Sequence, residues 1–164
     1  MCGRFAQLPM TQPERLPWPA LRAEFAALPA RYNLAPGQAA GVLIRDGEET
    51  RLLKLHWGLL PFWAKTADFG QRTFNARLET VDDKPAFREA FKHRHTAVPI
   101  AGYYEWKTAP LGKQPYYFQP ERKADTLWLA GLWEAKHPLL EADVEGSFTL
   151  ITQPAEGIAA EVHS

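Results

Sequence analysis

The sequence predicts an α+β fold, a multi-stranded antiparallel β core carrying a few short helices, and three observations lead there. Fourteen prolines and eleven glycines in 164 residues cut the chain into short segments and exclude long helices. β-Rich runs follow one another across hairpin-type turns, which pairs successive strands antiparallel. Strands and helices do not alternate as they do in a doubly wound sheet, and no glycine-rich phosphate loop occurs.

In chain order, residues 19–28 place Leu21, Phe25 and Leu28 at helical spacing, with Pro19 suited to a first turn and Pro29 ending the run. They predict a short amphipathic helix. Gly41 to Arg45 and Thr50 to Trp57 are β-rich and joined across Asp46-Gly47, a pair that favours a tight hairpin turn. A second helix is predicted over 84–93, where Asp82 and Asp83 supply an N-cap, Pro85 fits the first turn, and Phe87 with Phe91 forms an i,i+4 apolar pair. From Thr96 onward the signal is strand, over 96–107, 115–119, 126–134 and 147–152, broken by turns such as Leu111-Gly112-Lys113.

With 46% hydrophobic and 23% charged residues, the composition fits one soluble globular domain over residues 1–164. A chain of this size buries roughly 70% of its unfolded surface, so stability requires no disulfide or structural metal. The single cysteine, Cys2, excludes an intramolecular disulfide and every multi-cysteine metal site, and suits a reducing compartment. Neither an apolar run of the ~20 residues a membrane span needs nor a secretory signal is present, so a cytosolic protein is expected. Net charge is zero, but residues 1–120 hold 16 basic and 11 acidic groups while residues 121–164 hold 3 and 8. Such polarity fits either two solvated faces of opposite sign or a basic surface that meets a polyanion.

Chemistry concentrates in three places. Removal of the initiator methionine before a small residue would leave Cys2 with a free α-amine beside its thiol. An aldehyde condenses with that amine to an imine, and the thiol closes a thiazolidine ring that an internal cysteine cannot form. The amine, with a pKa of about 7.7–8.0, and the thiol, at about 8.5, are both usable near neutrality. Strand alternation over 74–80 would put Asn75, Arg77 and Glu79 on one face, a costly cluster to bury without a polar ligand. Glu105, between Tyr104 and Trp106, is expected to have its pKa raised by desolvation, which suits a proton shuttle, although a solvent-facing carboxylate fits the spacing equally. The run from Trp57 to Lys65 strings aromatics, Trp63 among them, beside a basic side chain. Aromatics so placed either pack a core or stack on single-stranded bases.

These pieces together resemble the SOS-response-associated peptidase (SRAP) family, whose members shield abasic sites in single-stranded DNA by covalent crosslinking. The matching segments are Cys2-Gly-Arg-Phe5, Arg31-Tyr-Asn-Leu-Ala-Pro-Gly37, Trp57-Gly-Leu-Leu-Pro-Phe-Trp63, Asn75-Ala-Arg-Leu-Glu-Thr80, Gly102-Tyr-Tyr-Glu-Trp-Lys107 and Ile151-Thr-Gln-Pro-Ala155, with His163 near the end. They stand in family order. Members usually continue past the histidine with an Asp-Arg-Met-Pro-like stretch and several tens of residues more, so the domain is expected to lack its carboxyl-terminal part, which leaves the setting of His163 open.

The resemblance implies a nucleophile at Cys2, a residue orienting the terminus and the sugar at Asn75, a proton shuttle at Glu105 and an acid–base helper at His163. It implies phosphate contacts from Arg4 and Arg77, and a groove flanking the lesion formed by Pro36, Trp63 and Trp106. Lys65 is added for its place beside the aromatics. The expected partner is single-stranded DNA containing an abasic site, bound by a monomer with no metal, no organic cofactor and no membrane. Two other readings stay open: a cysteine N-terminal-nucleophile peptidase or amidase, and a non-covalent single-strand reader in which Cys2 is idle.

Overall fold

The computed structural model describes residues 2–162, and within them an α+β architecture of two sheets with short helices. The strands are β1 (Arg4–Gln7), β2 (Arg31–Leu34), β3 (Ala39–Asp46), β4 (Glu49–Trp57), β5 (Asn75–Arg77), β6 (His95–Ile100), β7 (Gly102–Ala109), β8 (Gly112–Phe118), β9 (Leu127–Ala135) and β10 (Gly146–Thr152). One sheet has the order β2-β1-β7-β8; the other runs β4-β3-β6-β9-β10-β5, and β10 also pairs with β4. That extra pairing closes β4, β3, β6, β9 and β10 into a small barrel, with β5 attached outside the ring. The closing contact is short, since only Leu55 to Trp57 of β4 pair with β10.

Antiparallel pairing prevails, as successive hairpins require, and Ala39 to Asp46 pairs with Glu49 to His56 across Asp46-Gly47 with Gly47 at φ +60°. Strand β10 departs from it by pairing parallel with β4, Phe148 opposite Trp57, and parallel with β5, Leu150 opposite Asn75. Alternate residues of the barrel strands, including Val42, Ile44, Leu55, Trp57, Val98 and Phe148, fill its interior, and Phe5 and Leu34 of the second sheet join the same cluster. Buried Gln7 ties the sheets together. Its Nε2 donates to the Gly41 and Pro99 carbonyls at 2.8 and 2.9 Å, and its Oε1 accepts from Gly41 N at 2.8 Å. A side-chain amide so fully satisfied offsets its desolvation and fixes β1 against the barrel.

The single strand expected over 96–107 is broken at Ala101, where the chain leaves the barrel as β6 and enters the second sheet as β7. Gly102 permits this passage, because a Cβ there would stand 2.5 Å from the Phe118 carbonyl oxygen. The helix expected over 19–28 is a 3-10 turn at Pro19–Leu21 followed by α1 (Arg22–Ala26). The helix expected over 84–93 is confined to α2 (Arg88–His93), and no side chain caps it. Asp82 and Asp83 lie in the turns that precede it, so proximity in sequence overstated their role as caps. A third helix, α3 (Ile158–Val162), ends the described chain. No helix among the described residues is long and apolar enough to cross a membrane.

Candidate active site around Cys2

Cys2 lies two residues before the start of β1, so the clamp made by Gln7 also fixes the amino-terminal segment. Pairing of β1 with β7, Arg4 opposite Tyr104 and Phe5 opposite Tyr103, sets the register between Cys2 and Glu105. Cys2, Tyr103 and Glu105 line one wall of a cavity of about 370 Å³, and Thr152, Gln153 and Ala159 close the other side. Glu105 is only 7% exposed. It does not pack in the way its neighbours suggested. Alternation turns Tyr104 and Trp106 to the outer face, where their rings lie 6.4 Å apart, and turns Glu105 to the side of Tyr103.

Asn75 reaches Cys2 from the other direction. Trp57 Nε1 donates to the Phe74 carbonyl at 2.8 Å, Leu150 N donates to the same carbonyl at 3.0 Å, and β5 then runs parallel to β10. The Asn75 side chain donates from Nδ2 to the Cys2 carbonyl at 2.7 Å, while its buried Oδ1 has no hydrogen-bond partner among the described residues. Glu79 does not share a strand face with Asn75 and Arg77, because β5 ends at Arg77 and Leu78–Thr80 is a 3-10 turn.

The Cys2 thiol is pushed up to about 12, first by burial and second by the negative charge of Glu105. Its Sγ contacts the Arg4 carbonyl at 3.7 Å. The thiol is therefore neutral at physiological pH and needs a base at the moment of attack. Tyr103 is shifted upward as well, by burial and then by Glu105 and Cys2, so its phenol remains a hydrogen-bond donor. Among the described residues no three His, Cys, Asp or Glu side chains gather as metal ligands.

Two further cavities follow in series from the first. One, of about 410 Å³, shares Thr152 to Ala155 with it and adds Arg77 and Glu79. The other, of about 500 Å³, is lined by Trp63, Phe69, Arg72, Asn75, Arg77 and Lys84, among others. Trp63 stands edge-on to Phe69 at 5.2 Å, and the Arg72 guanidinium lies 5.4 Å from the Phe69 ring. Arg77 and Thr80 line both of these cavities, so shared residues link a basic, aromatic trough at Trp63 through the second cavity to that of Cys2.

Arg4, Pro36, Lys65 and Trp106 line none of these three cavities. Arg4 donates to Asn33 Oδ1 at 3.1 Å, Trp106 lies on the outer face of β7, Pro36 sits in the β2–β3 turn, and Lys65 is exposed. His163 lies outside the described residues. Sequence reasoning passed over Tyr103, Arg72 and Lys84: the first stood inside a quoted motif without a role, and the other two carry no motif.

A family model described as SOS response associated peptidase (SRAP) matches residues 1–164. The chain belongs to the SRAP family. Among its SRAP relatives, the abasic site processing protein YoqW of Bacillus subtilis is 37% identical over 134 residues, 80% of this chain and 58% of YoqW. YoaM of the same organism, also named an abasic site processing protein, is 40% identical over 104 residues, 63% of this chain and 45% of YoaM. The chain thus spans about half the length of these SRAP relatives. A crystal structure of a protein from Bordetella bronchiseptica superposes with a TM-score of 0.75 over 99% of this chain and 78% of that one at 23% identity, a likeness of fold.

Proposed function

We propose that this SRAP protein binds abasic sites in single-stranded DNA and captures them through Cys2 as a thiazolidine crosslink. The observation that carries the reading is the constellation at the amino terminus: Asn75 holds the Cys2 carbonyl at 2.7 Å while buried Glu105 shares the Cys2 cavity. The names of YoqW and YoaM point to the same substrate class.

In this reading the ring-opened sugar presents an aldehyde to the Cys2 α-amine. The nitrogen lone pair forms a C–N bond, the carbonyl oxygen takes up a proton, and the resulting carbinolamine loses water to leave an imine. The thiol then adds to the imine carbon as its proton passes to Glu105 and on to the ring nitrogen. One water leaves in total, and nothing is oxidised or reduced. Burial, reinforced by the charge of Glu105, holds the thiol neutral until attack, and Glu105 then accepts its proton, the task of a positioned acid–base group. Asn75 orients the terminus through the Cys2 carbonyl, and Arg77 with Trp63 receives the strand by phosphate contact and base stacking. The amino-terminal chemistry requires that the mature chain begin at Cys2.

A denaturing gel tests the proposal. The wild-type chain incubated with abasic single-stranded DNA gives a heat-resistant adduct, and Cys2→Ala gives none. Retarded DNA on a native gel without an adduct on the denaturing gel would favour non-covalent reading of the strand instead.

A further inference from the structure

Tyr103 is a polar side chain of the Cys2 cavity on the same face of β7 as Glu105, and the mechanism above gives it no task. Register places its ring opposite Phe5 on β1 and Phe118 on β8, and it stacks on Phe118 with centroids 5.2 Å apart and planes at 15°. That stack fixes the ring. Its side chain lines the cavity that Cys2 and Glu105 share. Burial first, and then the negative charge of Glu105, disfavour its phenolate, which keeps it a donor across the working pH range. A phenol donor, a carboxylate and a thiol then converge on one small cavity, and aldehyde capture creates there an oxygen that must be held and expelled.

We propose that Tyr103 is a further catalytic residue, donating its phenolic hydrogen bond to the aldehyde-derived oxygen while the Cys2 amine attacks and while that oxygen departs as water. This rests on the capture reading given above. As the C–N bond forms, the C=O π pair moves to the oxygen, which takes one proton; as the C–O bond breaks, the oxygen takes a second proton and leaves as water while the nitrogen lone pair forms the C=N bond. Glu105 relays to that oxygen, in turn, the two protons that the amine nitrogen releases. The phenol ends the cycle protonated, so it transfers no net proton and acts by stabilising charge on the oxygen. A donor aimed at a developing oxyanion contributes about 10²–10³-fold to such a step.

Tyr103→Phe is the direct test, because it removes one oxygen and retains the ring stacked on Phe118. Three quantities are compared with wild type: thermal midpoint, affinity for single-stranded DNA carrying a tetrahydrofuran analogue that cannot react, and the rate of borohydride-trapped imine on abasic DNA. The expected result is an unchanged midpoint and affinity with trapping slowed by about 10²-fold. A second protein with difluorotyrosine at position 103 keeps the fold and the hydroxyl but ionises at lower pH, so the ratio of its trapping rate to that of wild type is expected to fall as pH rises through neutrality. Wild-type trapping by Tyr103→Phe, or an unshifted profile for the fluorinated protein, overturns the role of Tyr103 and leaves the capture reading standing. Absence of any adduct from wild type overturns both.

Discussion

Burying a thiol beside a carboxylate disfavours the thiolate on two counts, and at Cys2 both operate, burial first and Glu105 second. A cysteine so placed resists simple alkylation although it is the proposed nucleophile. At pH 8 iodoacetamide is expected to label Cys2 at least about 10²-fold more slowly than a cysteine of ordinary pKa near 8.5, with the thiolate accumulating only as pH nears 12. A thiol whose folded pKa lies above its unfolded value also contributes stability that is complete below about pH 8.5 and is lost as pH rises toward the folded value. Glu105→Gln separates the two roles of the carboxylate because they have opposite signs. Removing its charge should speed alkylation of Cys2 while slowing crosslinking by about 10²–10⁴-fold, read from single-turnover rates between pH 5 and 8. Equal slowing of both reactions would mean that the variant merely closes the cavity. Asn75→Asp, which replaces the donor facing the Cys2 carbonyl with an acceptor, should lower the crosslinking rate far more than it lowers affinity for a non-reactive abasic analogue.

At the scale of elements, the site depends on strands that meet from distant parts of the chain. Gly58, directly after β4, adopts φ +141°, and a Cβ there would lie 2.6 Å from the Gly70 carbonyl oxygen. Gly58→Ala should therefore cost about 1–3 kcal/mol of stability, seen as a lower thermal midpoint, and should weaken DNA binding through the loop that carries Trp63. The α+β class, the Asp46-Gly47 hairpin and the strand-rich second half were legible because prolines, glycines and β-rich runs act locally. Barrel closure was not, since parallel pairing of β10 with β4 joins segments about 90 residues apart and leaves no local pattern. The bond from Asn75 to Cys2 was hidden for the same reason, spanning 73 positions. Glu105 stood out in the sequence, but its surroundings were not legible there. Its sequence neighbours Tyr104 and Trp106 point to the opposite face, and the groups that do surround it come from the amino terminus and the segment after β10.

The whole molecule is electrically neutral yet sorted, with 16 basic and 11 acidic residues before position 121 and 3 basic and 8 acidic after it. Two of the late acidic groups are met by basic partners on β4: Lys54 pairs with Asp143, and Arg51 approaches Glu145 at 3.9 Å. Arg72, Arg77 and Lys84 instead line the trough beside Trp63. This distribution predicts binding whose salt dependence tracks the trough and not the net charge. Arg77→Ala should reduce the slope of log affinity against log salt by about 0.7, the value for one phosphate contact on a single strand, and an unchanged slope would make Arg77 structural. The central claim is that both the amine and the thiol of Cys2 enter one ring, and one measurement addresses it directly: the adduct yield on abasic single-stranded DNA of a protein with a single glycine placed ahead of Cys2, with intact mass confirming each terminus. The account predicts that this protein, its thiol intact, forms no more thiazolidine adduct than Cys2→Ala does. Wild-type yield of a thiazolidine adduct from the extended protein would contradict it.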